Sequence, residues 1–282
     1  MLDEKSLLEK LATIDKKGYS AYQTLLGHYS FSYFNLIIDK VPRDPYAPIQ
    51  SGIFRIQVNP RHPKMINLFI DSRIKEIAFR DFIARSFYQS IQQLNPQKRG
   101  TGHSGMISIC QPGQLILERN SVIAKPDMIE IRIYLGLPAF GRKINATGAK
   151  EMLCDELPAI VSQSLFQDNI NFNSLQKHIE TAEDADFLRK QLEQKNLVAF
   201  IADKAILPRE SGTSHSPLKK SKAIPFQSPK KMRVQFKCPH AGWVSGLAIP
   251  KGVTLITGGG YHGKSTLLNT IESAIYNHIP AA

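Results

Sequence analysis

One run of residues in this chain has types and spacing that dictate a chemistry: Gly258-Gly-Gly-Tyr-His-Gly-Lys-Ser-Thr266. It satisfies G-x-x-x-x-G-K-[ST], the loop that wraps nucleotide phosphates. A triphosphate concentrates negative charge, which has to be met without bulky side chains in the way. Gly258, Gly259 and Gly260 allow backbone conformations that turn N–H groups inward. Tyr261 and His262 complete the loop, and Gly263 opens a helix whose free N–H groups and dipole face the same anion. Lys264 is placed for the β- and γ-phosphates, Ser265 offers a hydroxyl to Mg²⁺, and Thr266 lies toward the α-phosphate. The expected ligand is ATP or ADP with Mg²⁺.

Binding does not imply hydrolysis. Hydrolysis needs an acid on a second strand to hold the metal and a group to position water. Glu272 is the only acid after the loop, and it lies on the loop's own helix. No catalytic residue is therefore assigned.

The elements that would position the loop can be read around it. Val253–Thr257 reads as a buried strand and Ser265–Tyr276 as a helix. Upstream, Leu7, Leu8, Leu11 and Ile14 form a helical stripe, Tyr29–Val41 and Ile53–Val58 read as strands, and Asp71 or Ser72 could cap a helix running to Leu94. Met106–Cys110 and Met128–Leu135 read as strands. Helices are expected over Ala146–Leu153, Leu157–Phe166 and Ser174–Gln194, followed by strands over Leu197–Ile201 and Arg233–Lys237. A second glycine-rich run, Lys98-Arg-Gly-Thr-Gly-His-Ser-Gly105, invites comparison with a phosphate cradle. Its glycine spacing fails G-x-G-x-x-G and a strand follows it, so it reads as a structural loop.

Composition bounds the rest. An apolar fraction of 42% and a charged fraction of 21% describe an ordinary globular chain, and no apolar run is long enough to span a bilayer. The N-terminus is polar and acidic, without a signal-peptide core. Cys110, Cys154 and Cys238 form no C-x-x-C pair, which points to a reducing, cytoplasmic setting rather than a disulfide framework. The net charge of +12 favours polyanionic partners, nucleic acid among them. Pro208–Pro229 is rich in Ser, Pro and Lys. With Lys219, Lys220, Lys222, Lys230 and Lys231 it reads as a basic linker.

The segment Val244–Leu268, with an apolar strand phrase, Lys-Gly, a second strand and the P-loop, resembles the opening of an ABC-type ATPase core. A closer resemblance, to the ATPases of the ABC class, extends over nearly the whole chain. It is carried by Lys17-Gly-Tyr-Ser-Ala-Tyr22, Leu26-Gly-His-Tyr-Ser-Phe31, Asp44-Pro-Tyr-Ala47, Gly136-Leu-Pro-Ala-Phe-Gly-Arg142, Ile206-Leu-Pro-Arg-Glu-Ser-Gly212, Gly259–Thr270 and Tyr276-Asn-His-Ile-Pro280. The resemblance implies an α/β fold: a mixed N-terminal domain over residues 1–207, the linker at 208–231, and over 232–282 the incomplete beginning of a P-loop core. Full-length members continue with signature and Walker B motifs, so the expected chain is a truncated nucleotide binder, inactive alone. A complementary chain or self-association would complete it. The resemblance also implies an early aromatic stacked on adenine, for which Phe236 and Trp243 are candidates. The rival reading is a nucleic-acid-binding module with a vestigial P-loop.

Overall fold

The computed structural model describes residues 2–59, 71–94, 96–165, 170–219 and 221–280. Phe166, expected at a helix end, and Lys220, expected in the basic segment, lie outside the described residues. The chain forms two compact units, Met1–Pro112 with Glu118–Phe172 and Gly113–Leu117 with Asn173–Ala282.

In the N-terminal unit β1 (Leu2–Asp3) leads into α1 (Glu4–Ile14). The Asp3 carboxylate accepts the Ser6 backbone N–H at 2.8 Å, satisfying one of the unpaired donors of the first helical turn. Leu7, Leu11 and Ile14, spaced at three and four residues, are buried. The run expected as one strand over Tyr29–Val41 is instead a hairpin, β2 (Gly27–Ser30) and β3 (Asn35–Lys40). The Phe31 N–H bonds the Phe34 carbonyl at 2.8 Å and reverses the chain, and the two rings stack 4.5 Å apart. Strand propensity alone does not expose such a reversal, because the turn residues are themselves aromatic.

The sheet continues through β4 (Ile53–Val58), β5 (Ile107–Ser108), β7 (Val122–Lys125) and β8 (Met128–Leu135), while β6 (Leu115–Ile116) belongs to the other unit. The order is β1-β2-β3-β4-β8-β5, with β7 also on β8. All pairings are antiparallel except β1–β2. α2 (Arg73–Leu94) buries Ala78, Phe79, Ile83, Phe87 and Ile91. Beyond the hairpin of β9 (Ala139–Phe140) and β10 (Lys143–Ile144), α3 (Ala146–Lys150) passes through a π-helical stretch, Glu151–Glu156, into α4 (Leu157–Leu165). α2 packs against α4 and β7. Each fully buried Phe or Ile in this layer contributes about 1.5–3 kcal/mol relative to exposure.

Glu130, on β8, is 4% exposed. Burial raises its pKa, but hydrogen bonds from Gln57 (2.9 Å), Arg132 (3.2 Å) and Arg55 (3.0 Å) outweigh that and hold the carboxyl below its usual range.

The glycine-rich run at 98–105 spends its backbone donors on the protein itself. Thr101 N–H bonds Ala139 O at 2.8 Å, His103 N–H bonds Pro45 O at 2.8 Å, and Gly105 N–H bonds Gly136 O at 2.7 Å. A Cβ on Gly136 would lie 1.9 Å from His103 O, so the backbones meet where only glycine fits.

The C-terminal unit is built on α5 (Phe172–Gln194) and a three-stranded antiparallel sheet of β11 (Leu197–Ala202), β12 (Arg233–Cys238) and β13 (Gly242–Pro250), in the order β11-β13-β12. α6 (Lys264–Ser273) follows, and β14 (Asn277–His278) pairs with β6. Leu197–Ala202, grouped by the sequence with the first domain, is laddered to β13 and lies in this unit. The basic segment after Leu207 folds back rather than running free. Leu218 N–H bonds Pro208 O at 2.9 Å, Phe226 N–H bonds Ala205 O at 2.9 Å, and Ser228 N–H bonds the Asp203 carboxylate at 2.6 Å. Together these constrain a stretch whose composition alone reads as a linker.

Candidate nucleotide-binding loop

The glycine run at 258–263 forms an exposed loop feeding directly into α6. Gly263, at the N-cap, has φ +79°, in the left-handed region that glycine enters without steric cost. It places no side chain over the helix end, so no side-chain cap competes for the first-turn N–H groups. Tyr261 also has a positive φ, +62°, and its ring is fully exposed. Leu267 and Ile271 of α6 pack on Ala199, Ile201, Leu247 and Ile249, a small apolar cluster that fixes the helix on the sheet.

Within the loop the polar groups satisfy one another. The Lys264 ammonium donates to the Gly258 carbonyl at 2.8 Å and to the Gly259 carbonyl. The Gly259 N–H donates to Nδ1 of His262 at 3.2 Å. The ammonium and the Gly259 N–H are thus turned onto the loop's own groups, beside the uncapped N-terminus of α6. That assembly of positive ends suits an anion of phosphate geometry.

Two expectations change here. Val253–Thr257, expected as a buried strand, is neither strand nor buried; Val253 and Leu255 are exposed. Among the described residues no strand lies alongside to complete a ladder, and an unpaired extended segment has no regular partner for its N–H and C=O groups. The helix after the loop runs Lys264–Ser273, so it starts at the lysine and ends short of Tyr276.

Ser265 is exposed on the first turn of α6. Among the described residues no group of three or more His, Cys, Asp or Glu could hold a metal ion. The oxygen donors this loop offers beside Lys264 are the hydroxyls of Ser265 and Thr266. So few protein oxygens fit Mg²⁺, a cation that keeps several waters and takes further oxygens from a phosphate ligand. When bound, the ion would supply charge neutralisation between phosphate oxygens.

The two aromatic candidates part company. Phe236 is 3% exposed, set edge-on to Phe200 at 5.0 Å with the Lys195 ammonium 5.2 Å from its ring centre. Trp243, opposite Lys237 at the start of β13, is 68% exposed and is the one of the pair that offers a free ring face. The intraloop role of His262 was not legible in the motif, where its position accepts any residue. An imidazole two residues before Lys264 was the available signal.

A glycine loop feeding a helix that packs on a sheet, with its lysine at the helix start, is the arrangement of a P-loop. Residues 171–282 match the P-loop domain of the ABC ATPases, and residues 4–168 match the N-terminal domain of the ATPases of the ABC class. The chain belongs to that family, and the two matches meet within a few residues of the break between its compact units. A comparison with curated proteins returns no match. No helix among the described residues is long and apolar enough to cross a membrane.

Proposed function

We propose that this chain binds ATP or ADP with Mg²⁺ at Gly258–Thr266. What supports this reading is the P-loop domain match over this segment, with Lys264 folded onto the glycine loop at the uncapped start of α6. In this reading Lys264 and the N–H of Gly259 exchange their loop partners for phosphate oxygens. Ser265 meets the metal, Thr266 flanks the α-phosphate, and Trp243 rather than Phe236 meets the base. The exposed Val253 and Leu255, with Leu268 and Ile275, favour a partner that covers them, either a complementary chain or a second copy. The three free thiols suit a cytoplasmic setting.

A second reading, nucleic-acid binding, draws on a different surface. Exposed Lys98 neighbours the loop that Thr101 bonds to Ala139, exposed Arg142 and Lys143 belong to the β9–β10 hairpin, and Phe140 of β9 and Tyr46, next to the Pro45 carbonyl that accepts the His103 N–H, are 65% and 59% exposed. Cations interleaved with open aromatic faces suit single-stranded nucleic acid. Calorimetric titration with Mg·ATP, set beside titration with a single-stranded oligonucleotide at two salt concentrations, separates the readings. Saturable ATP binding supports the first; salt-dependent oligonucleotide binding without ATP binding supports the second.

A further inference from the structure

The C-terminal unit contains a cleft of about 340 Å³ that the P-loop does not use. It is walled by α5, β11, the segment at 205–209, the C-terminal half of α6 and β14. This volume falls at the small end of the roughly 300–1,000 Å³ typical of ligand pockets. Leu188, Leu192, Ile206 and Ile271 give it apolar sides. Its charged lining is one-signed: Arg189 and Arg209 contribute, with His278 beside them, and among the described residues no Asp or Glu does.

The state of those groups sets the chemistry of an occupant. Nη1 of Arg209 is buried and has no hydrogen-bond partner among the described residues. A buried guanidinium donor without an acceptor is costly, because it has lost water and gained nothing in exchange. Arg189 donates to the Asn277 side chain, and the nearest carboxylate oxygen, on Asp186, is 4.0 Å away. Burial lowers its pKa, with Asp186 opposing. His278 is pushed the same way, first by burial and then by the positive charge of Arg209, while its Nδ1 lies 3.1 Å from the Tyr276 carbonyl. The cleft therefore carries a positive potential inside apolar walls.

We propose that this cleft binds a small amphipathic anion, its carboxylate or phosphate head on Arg209 and its apolar body along Leu188, Leu192 and Ile271. The anion would give Nη1 its missing acceptor, and the walls would remove the body from water. The site is separate from the phosphate loop, although α6 carries both: the loop feeds its first turn, and Thr270, Ile271 and Ala274 line the cleft near its last.

The probes are octanoate and octyl phosphate, titrated calorimetrically into the full chain, with octanol and inorganic phosphate as controls lacking the head or the body. Saturable one-to-one binding of at least one probe is expected, with each control at least tenfold weaker. Whichever probe binds tighter identifies the head group. Arg209→Gln should weaken binding at least tenfold, and Lys264→Ala should leave it unchanged. Should Arg209→Gln fail to fold, Leu188→Trp, which fills the cleft, should abolish binding while the thermal transition persists. The proposal is overturned if neither probe saturates, or if a folded Arg209→Gln or Leu188→Trp binds as the parent does. It is equally overturned if sedimentation shows the cleft occupied by a second copy that the probes do not displace.

Discussion

Replacing Lys264 by alanine removes the only side-chain cation in the phosphate loop, and the structure bounds the cost. In the free loop the ammonium is held by the carbonyls of Gly258 and Gly259. Nucleotide binding exchanges those acceptors for phosphate oxygens, so the hydrogen bonds themselves partly cancel and the gain is mainly Coulombic. A unit charge pair about 4 Å apart attracts by about 1 kcal/mol in bulk water and about 4 kcal/mol at a near-surface dielectric. The loop is exposed, which favours the lower part of that range, about 1–3 kcal/mol. Lys264→Ala should therefore raise the Kd for Mg·ATP by roughly 5- to 150-fold, since about 1.4 kcal/mol is a factor of ten. The assay is isothermal titration calorimetry of both proteins in one buffer, with thermal melting as the control. Because the lost bonds lie within an exposed loop, the melting temperature should hardly move. An unchanged Kd would refute the reasoning, since it would mean the phosphates rest elsewhere.

Three further outcomes are expected. Gly136→Ala should destabilise the N-terminal unit by at least about 2 kcal/mol, seen as a lower urea midpoint, because its Cβ would lie 1.9 Å from a backbone carbonyl; a parent-like midpoint would show that the loops give way. Glu130, whose folded pKa is lowered, contributes stability that is present above its unfolded pKa and lost as pH falls through the folded value. Stability should thus decline below about pH 4, and melts of Glu130→Gln should show a shallower acid slope than the parent, equal slopes counting against the linkage. The fluorescence of Trp243, the sole tryptophan, should be quenched by ATP if its open face meets the base, and an unchanged spectrum removes it from the site.

What the sequence made legible follows the range of the interactions involved. The P-loop is local: glycines, lysine and helix start are contiguous, so the motif placed a helix directly after the loop, with its start one residue late and its end three residues long. Strands whose pattern is strong, Ile53–Val58 and Met128–Leu135, were equally readable. Non-local facts were not. Val253–Thr257 has the composition of a buried strand, but burial depends on neighbours that composition does not report. The reversal at Phe31–Phe34 hides behind aromatic residues, and the ordering of the basic segment depends on Asp203 reaching Ser228. The orphaned Arg209 donor and the His262 acceptor emerge only from coordinates, because each is defined by what surrounds it rather than by its own neighbours in sequence.

The most direct test of the central claim is backbone hydrogen exchange, followed peptide by peptide with and without Mg·ATP. The account expects slowed exchange concentrated in 258–267, where the N–H groups of the loop and the first turn of α6 would take phosphate oxygens as acceptors. Protection confined to another segment, such as the glycine-rich run at 98–105, or no protection at saturating nucleotide, would contradict it.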